Sequence, residues 1–242
     1  SVHVGGMSYT GFKRVSVQYS AKKAVRAFAL TVTDGDDWED KWNFMPGEEV
    51  SIFEGGELLL KGFINNMTPS YDETNHTVEI TGRSKGQDTV DSSATKKPGE
   101  WKKKKLDEIA KDLDEQGVGF NAKTDMPTLE YFRVNTGESV FEAVERMTRR
   151  YGLLLIGNAD GSIDIDKGGE DSENTPLIEG ENIKSASATF DDSNKQSEYI
   201  VKGQRVFGSN RKALQIVERS KDKSVKRNRP KLMQPETDID EA

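Results

Sequence analysis

The chain has 242 residues, 33% hydrophobic and 32% charged, and no cysteine, which excludes disulfides, thiolate metal sites and cysteine nucleophiles. Its two histidines, His3 and His76, leave little material for a zinc site or a catalytic triad. Thirty-five Lys and Arg against forty-two Asp and Glu give a net charge of −7, the wrong balance for a general phosphate-backbone binder, which needs concentrated positive charge.

At this length two or three modules of ordinary size are expected. Val2 and Val4, then Val15, Val17 and Tyr19, then Phe28, Leu30 and Val32 alternate at period two, the mark of half-buried strands. Asp34-Gly35-Asp36-Asp37 and Pro46-Gly47 break the pattern. Val50 and Ile52 resume it, and Glu54-Gly55-Gly56-Glu57 before Leu58-Leu59-Leu60 reads as a hairpin. Ile64, Val78 and Ile80 continue it. Residues 1–95 are therefore expected to form a small antiparallel β-barrel or sandwich.

The period changes after Pro98. Leu106, Ile109, Ala110 and Leu113 form one helical stripe, with Asp107 and Lys111 paired on its wet side. Gly117 follows where a left-handed cap is wanted, and Val118 can close over it. A second helix is predicted from about Ser139 to Tyr151, with Val140, Val144, Met147 and Tyr151 as its stripe. Glu142–Arg146 and Glu145–Arg149 are its expected ion pairs, and Gly152 ends it. Leu153 to Ile156, the turn 158–161, and Ile163 with Ile165 read as a hairpin. Residues 96–168 thus form a compact α/β module. The longest uncharged apolar run, Leu153 to Ile156, predicts no membrane span. Ser1 to Gly11 has neither the basic start nor the apolar run of a secretory signal.

A polar stretch from Lys167 to Thr175 leads back to β pattern: Ile183, Ala186, Ala188, Phe190, Tyr199 to Val201, and Leu214 to Val217. Residues 169–220 are read as a second β domain. Lys221 to Lys231 is basic, Pro230 and Pro235 interrupt it, and Glu236 to Glu241 is acidic, so 221–242 reads as an extended arm or tail. The fold class is α+β, mostly β, with two β regions flanking an α/β insert.

No catalytic, cofactor or metal residue is predicted. His76 sits beside Val78 and Ile80 as a packed or edge side chain. Asp34, Asp36 and Asp37 resemble half a calcium loop, but the glycine at its sixth and the glutamate at its twelfth position are missing. Lys102 to Lys105 has only Trp101 as an aromatic neighbour, so it reads as a solvated lead-in to a helix rather than a nucleic-acid patch. Trp38, Trp42 and Phe44 are the candidate interface residues. Aromatics in such a turn are either an interface anchor or a plug of the first core, and both readings stay open. The stretch Phe132 to Val140, followed by Ala143-Val144, is similar to the opening of a LysM-type peptidoglycan-binding module. A strand, a glycine turn and a helix start suit any small strand-to-helix unit, so sugar binding does not follow.

Several segments in order carry a wider resemblance. They are Phe28-Ala29-Leu30-Thr31-Val32, Pro46-Gly47-Glu48-Glu49-Val50, Gly62-Phe63-Ile64, the stretch Gly82 to Ala94 (GRSKGQDTVDSSA), and Gly137 to Ala143 (GESVFEA). Asp160-Gly161, Gly180-Glu181-Asn182-Ile183, Ser197 to Gln204 (SEYIVKGQ) and Arg227-Asn228-Arg229-Pro230 follow. Together they resemble the baseplate hub family of contractile phage tails, the phage Mu P protein and its relatives. The resemblance implies a non-enzymatic virion protein, without cofactor, assembled in the host cytoplasm. It implies a homotrimer, each subunit carrying two similar tube-type β domains, so that three chains match a sixfold tail tube to a threefold spike. The implied partners are the tail tube protein, the central spike protein and other baseplate proteins, with DNA only as cargo through the lumen. An acidic lumen would let DNA slide, since like charges repel. Two departures stand out: Lys102 to Lys105 is unusually basic for the family, and the sequence ends soon after Arg229-Pro230, where the family pattern continues. Either this member is short or the sequence omits a C-terminal part, and the completeness of the second β domain stays open between the two. The competing readings are a cell-wall binding or degrading module of a tail, and the hub of a tailocin or related injection machine.

Overall fold

The computed structural model describes residues 1–20, 23–33, 44–71, 73, 76–169, 176, 178–183, 185–187, 189, 191–204 and 215–234. The chain divides into two compact units, Ser1–Gly169 and Glu170–Ala242.

The first unit opens with one sheet made of β1 (Val2–Val4), β2 (Met7–Tyr9), β3 (Arg14–Ser20), β4 (Lys23–Thr33), β5 (Glu49–Glu54), β6 (Glu57–Tyr71) and β7 (His76–Ser84). The strand order is β2-β1-β5-β6-β7-β4-β3, and every pairing is antiparallel. Alternation places Val2, Val4, Phe28, Leu30, Val32, Val50, Ile52, Leu60, Ile64, Val78 and Ile80 in a single core with Phe44. Gly82 faces Phe28 across β4 and β7 and leaves room for its ring: a Cβ there would lie 2.5 Å from the ring's Cζ. The expected closure into a barrel is not seen. Among the described residues no pairing joins β2 to β3, so the sheet keeps two edges. Alternation dictates which face is buried. Closure depends on strand tilt and stagger, which alternation does not encode.

The α/β part contains α1 (Gln87–Asp91), β8 (Glu100–Lys105), α2 (Leu106–Leu113), β9 (Phe120–Ala122), β10 (Thr128–Arg133), α3 (Val140–Arg150), β11 (Leu153–Gly157) and β12 (Ile163–Lys167). β8 pairs antiparallel with β10; β12 pairs antiparallel with β11 and parallel with β9. Leu106, Ile109, Ala110 and Leu113 from α2 and Val140, Val144 and Met147 from α3 meet in one core with Phe120, Phe132, Ile163 and Ile165. Both predicted stripes are therefore buried, except that Tyr151 at the end of the second is 37% exposed. Gly117 has the expected positive φ, +67°, but lies beyond the helix cap, which is Asp114.

The second unit holds β13 (Glu198–Gln204), β14 (Gln215–Lys221) and β15 (Pro230–Met233) in the order β14-β13-β15. β14 runs antiparallel and β15 parallel to β13. Residues 230–233, expected in an extended arm, are thus a strand. Pro-Lys-Leu-Met is too short to show alternation, and its order comes from pairing with β13. This small mixed sheet differs from the antiparallel barrel that the resemblance implied. None of the described residues of this unit is buried.

Candidate functional site

Among the described residues no group of three or more His, Asp or Glu is placed to hold a metal ion, and no helix is long and apolar enough to cross a membrane. His76 is exposed at the start of β7, its ring 5.9 Å from that of Tyr71 on the paired strand. Shifted carboxylates have structural causes. Asp112 is held below the usual carboxylate range because Trp101 Nε1 and Lys104 Nζ donate to it at 3.0 and 3.2 Å. Ser162 does the same for Asp160 through its hydroxyl and its amide. These groups hold shape within the fold.

The most elaborate constellation lies where the seven-stranded sheet meets the α/β part. Arg26, on β4, donates from Nε to the Gly157 carbonyl at 3.1 Å and from Nη1 to the Leu59 carbonyl at 2.7 Å. Its own amide donates to the buried Ser84 hydroxyl at 3.0 Å, and its guanidinium lies 5.1 Å from the Tyr19 ring centroid. Gly157 lets β11 touch β4, since a Cβ there would overlap the Ala24 carbonyl oxygen. Nearby, the Lys61 amide donates to the Ala159 carbonyl at 2.7 Å, and Lys85 Nζ donates to the Gly117 carbonyl at 2.6 Å. A bulge in β6 between Ile64 and Asn66 turns Asn65 toward α1, where it donates to Gln87 Oε1 at 2.9 Å. The joint is built from backbone carbonyls that no sequence motif advertises.

The LysM-like stretch is a strand–turn–helix locked by its own charges. Arg146 donates from Nε and Nη2 to the two oxygens of Glu138 at 2.7 and 2.9 Å, and from Nη2 to the Arg133 carbonyl at 2.8 Å. Its guanidinium carbon sits 4.6 Å from the Phe132 ring centroid. Burial alone would push the Glu138 carboxyl up; the Arg146 guanidinium and the Asn135 amide outweigh it and hold the group below the usual range. The expected Glu142–Arg146 pair does not form. Glu142 closes a capping box with Ser139 instead, while Glu145–Arg149 and Asp107–Lys111 pair as predicted.

Lys102 to Lys105 is strand rather than lead-in, paired with β10 except at Lys103, whose φ is +50°. Lys104 and Lys105 bind Asp112 and Asp125 at 3.2 and 2.9 Å, and Lys102 lies over the Tyr131 ring. Of the three candidate interface residues, Phe44 is 1% exposed in the first core, its ring 4.7 Å from that of Tyr9. Trp38 and Trp42 lie outside the described residues.

Comparison with known proteins adds a consistent set of likenesses. Residues 1–84 match the family model "Mu phage baseplate assembly protein GpP-like, N-terminal", and residues 86–167 match "Baseplate hub protein gp44-like, second domain". The chain is 28% identical over 247 aligned positions to the baseplate hub protein gp44 of Escherichia phage Mu, covering 96% of this chain and 64% of that protein. It is similar to the 43 kDa tail protein of prophage MuSo2 from Shewanella oneidensis, with TM-score 0.79, 26% identity, and 97% of this chain on 71% of that one. The tail protein of Neisseria meningitidis MC58 shares the fold, with TM-score 0.77 and 20% identity over 99% of this chain and 72% of that one.

Proposed function

We propose that this chain, which belongs to the family of baseplate hub proteins of Mu-like phage tails, works as a structural hub of a contractile tail and not as an enzyme. What supports the reading is the match of two successive hub domains, in order, over residues 1–84 and 86–167. The chain spans 64% of the length of the phage Mu relative, so its role in the whole particle is inferred. The site geometry agrees with a scaffold: its polar groups join elements to one another.

In this reading the hub is a homotrimer in the virion, assembled in the host cytoplasm. A threefold ring that continues a sixfold tube must offer six near-equivalent contacts, so each chain must supply two. The seven-stranded sheet and the β13–β15 sheet are the two elements each chain offers. The tail tube protein, the central spike protein and other baseplate proteins are the partners, and DNA crosses the lumen as cargo. Light scattering on the purified chain tests this. The expected mass is three times 27.0 kDa; a monomer at every concentration reached would sink the trimer.

A further inference from the structure

We draw no further inference here: the strongest candidate, the groove of about 600 Å³ on the seven-stranded sheet lined by Gln18, Ala27, Ala29, Asn66, Thr81 and Arg83, is an open trough on a sheet face, and nothing in the structure shows what covers it.

Discussion

Arg146 fixes a turn by meeting Glu138 across it, with their side chains 13% and 9% exposed. Removing one partner leaves the other charge buried, so Arg146→Ala is expected to cost about 3 kcal/mol in urea unfolding. Arg146→Lys keeps the charge but loses the fork and should fall in between. Because the Glu138 carboxyl is held below its unfolded value of about 4.3, its contribution is present above that pH and fades as pH falls through the folded value. Arg146→Ala should therefore flatten the acid side of the stability curve; an unchanged acid limb would remove the pair from the account. The sequence pointed to the wrong partner here for a physical reason. Glu142 lies four residues before Arg146, but it also stands three after Ser139, and the capping box satisfies two backbone amides that a surface ion pair would leave open. Phe44, by contrast, packs as a plug of the first core, which leaves the anchor idea on Trp38 and Trp42. Their double alanine variant should fold with a wild-type melting temperature yet fail to support tail assembly. Full tails from that variant would end the idea.

At the scale of elements, the two hydrophobic periods made both helices and most of the first sheet legible, because burial of one face is written directly into spacing. The joint between sheet and α/β part was not legible. It depends on Arg26 reaching the Leu59 and Gly157 carbonyls and on β11 passing β4 without a side chain between them. Backbone acceptors carry no residue code, and a glycine in a strand pattern reads as neutral until its neighbour is known. The α1 helix was missed as well, since five residues are too few to show a period. Gly157→Ala should force the strands apart and cost about 1–3 kcal/mol. Arg26→Ala should cost about 2 kcal/mol by leaving carbonyls without a donor. Calorimetry separates a joint from a mere packing site: both variants are expected to split one unfolding transition of residues 1–169 into two, as the cores at 1–84 and 86–167 uncouple. A single transition, merely shifted, would mean that the two cores do not need this joint to unfold together.

For the whole molecule, stability is expected to reside in the first unit. Residues 1–169 contain every side chain of both hydrophobic cores, whereas no described residue of the second unit is buried. Burial of apolar surface is the main favourable term in folding, and three strands with no fully buried described residue gain little of it. The second unit should therefore add almost nothing to the melting temperature of a single chain. Residues 1–169 produced alone are expected to melt within about 3 °C of the full chain at low concentration. If the chain assembles as the proposed trimer, concentration changes that outcome. Mass action stabilises whatever the assembled state buries, so the full chain should melt higher as its concentration rises. Should the truncated chain melt far below the full one when both are dilute, the second unit would have to bury apolar surface within a single chain.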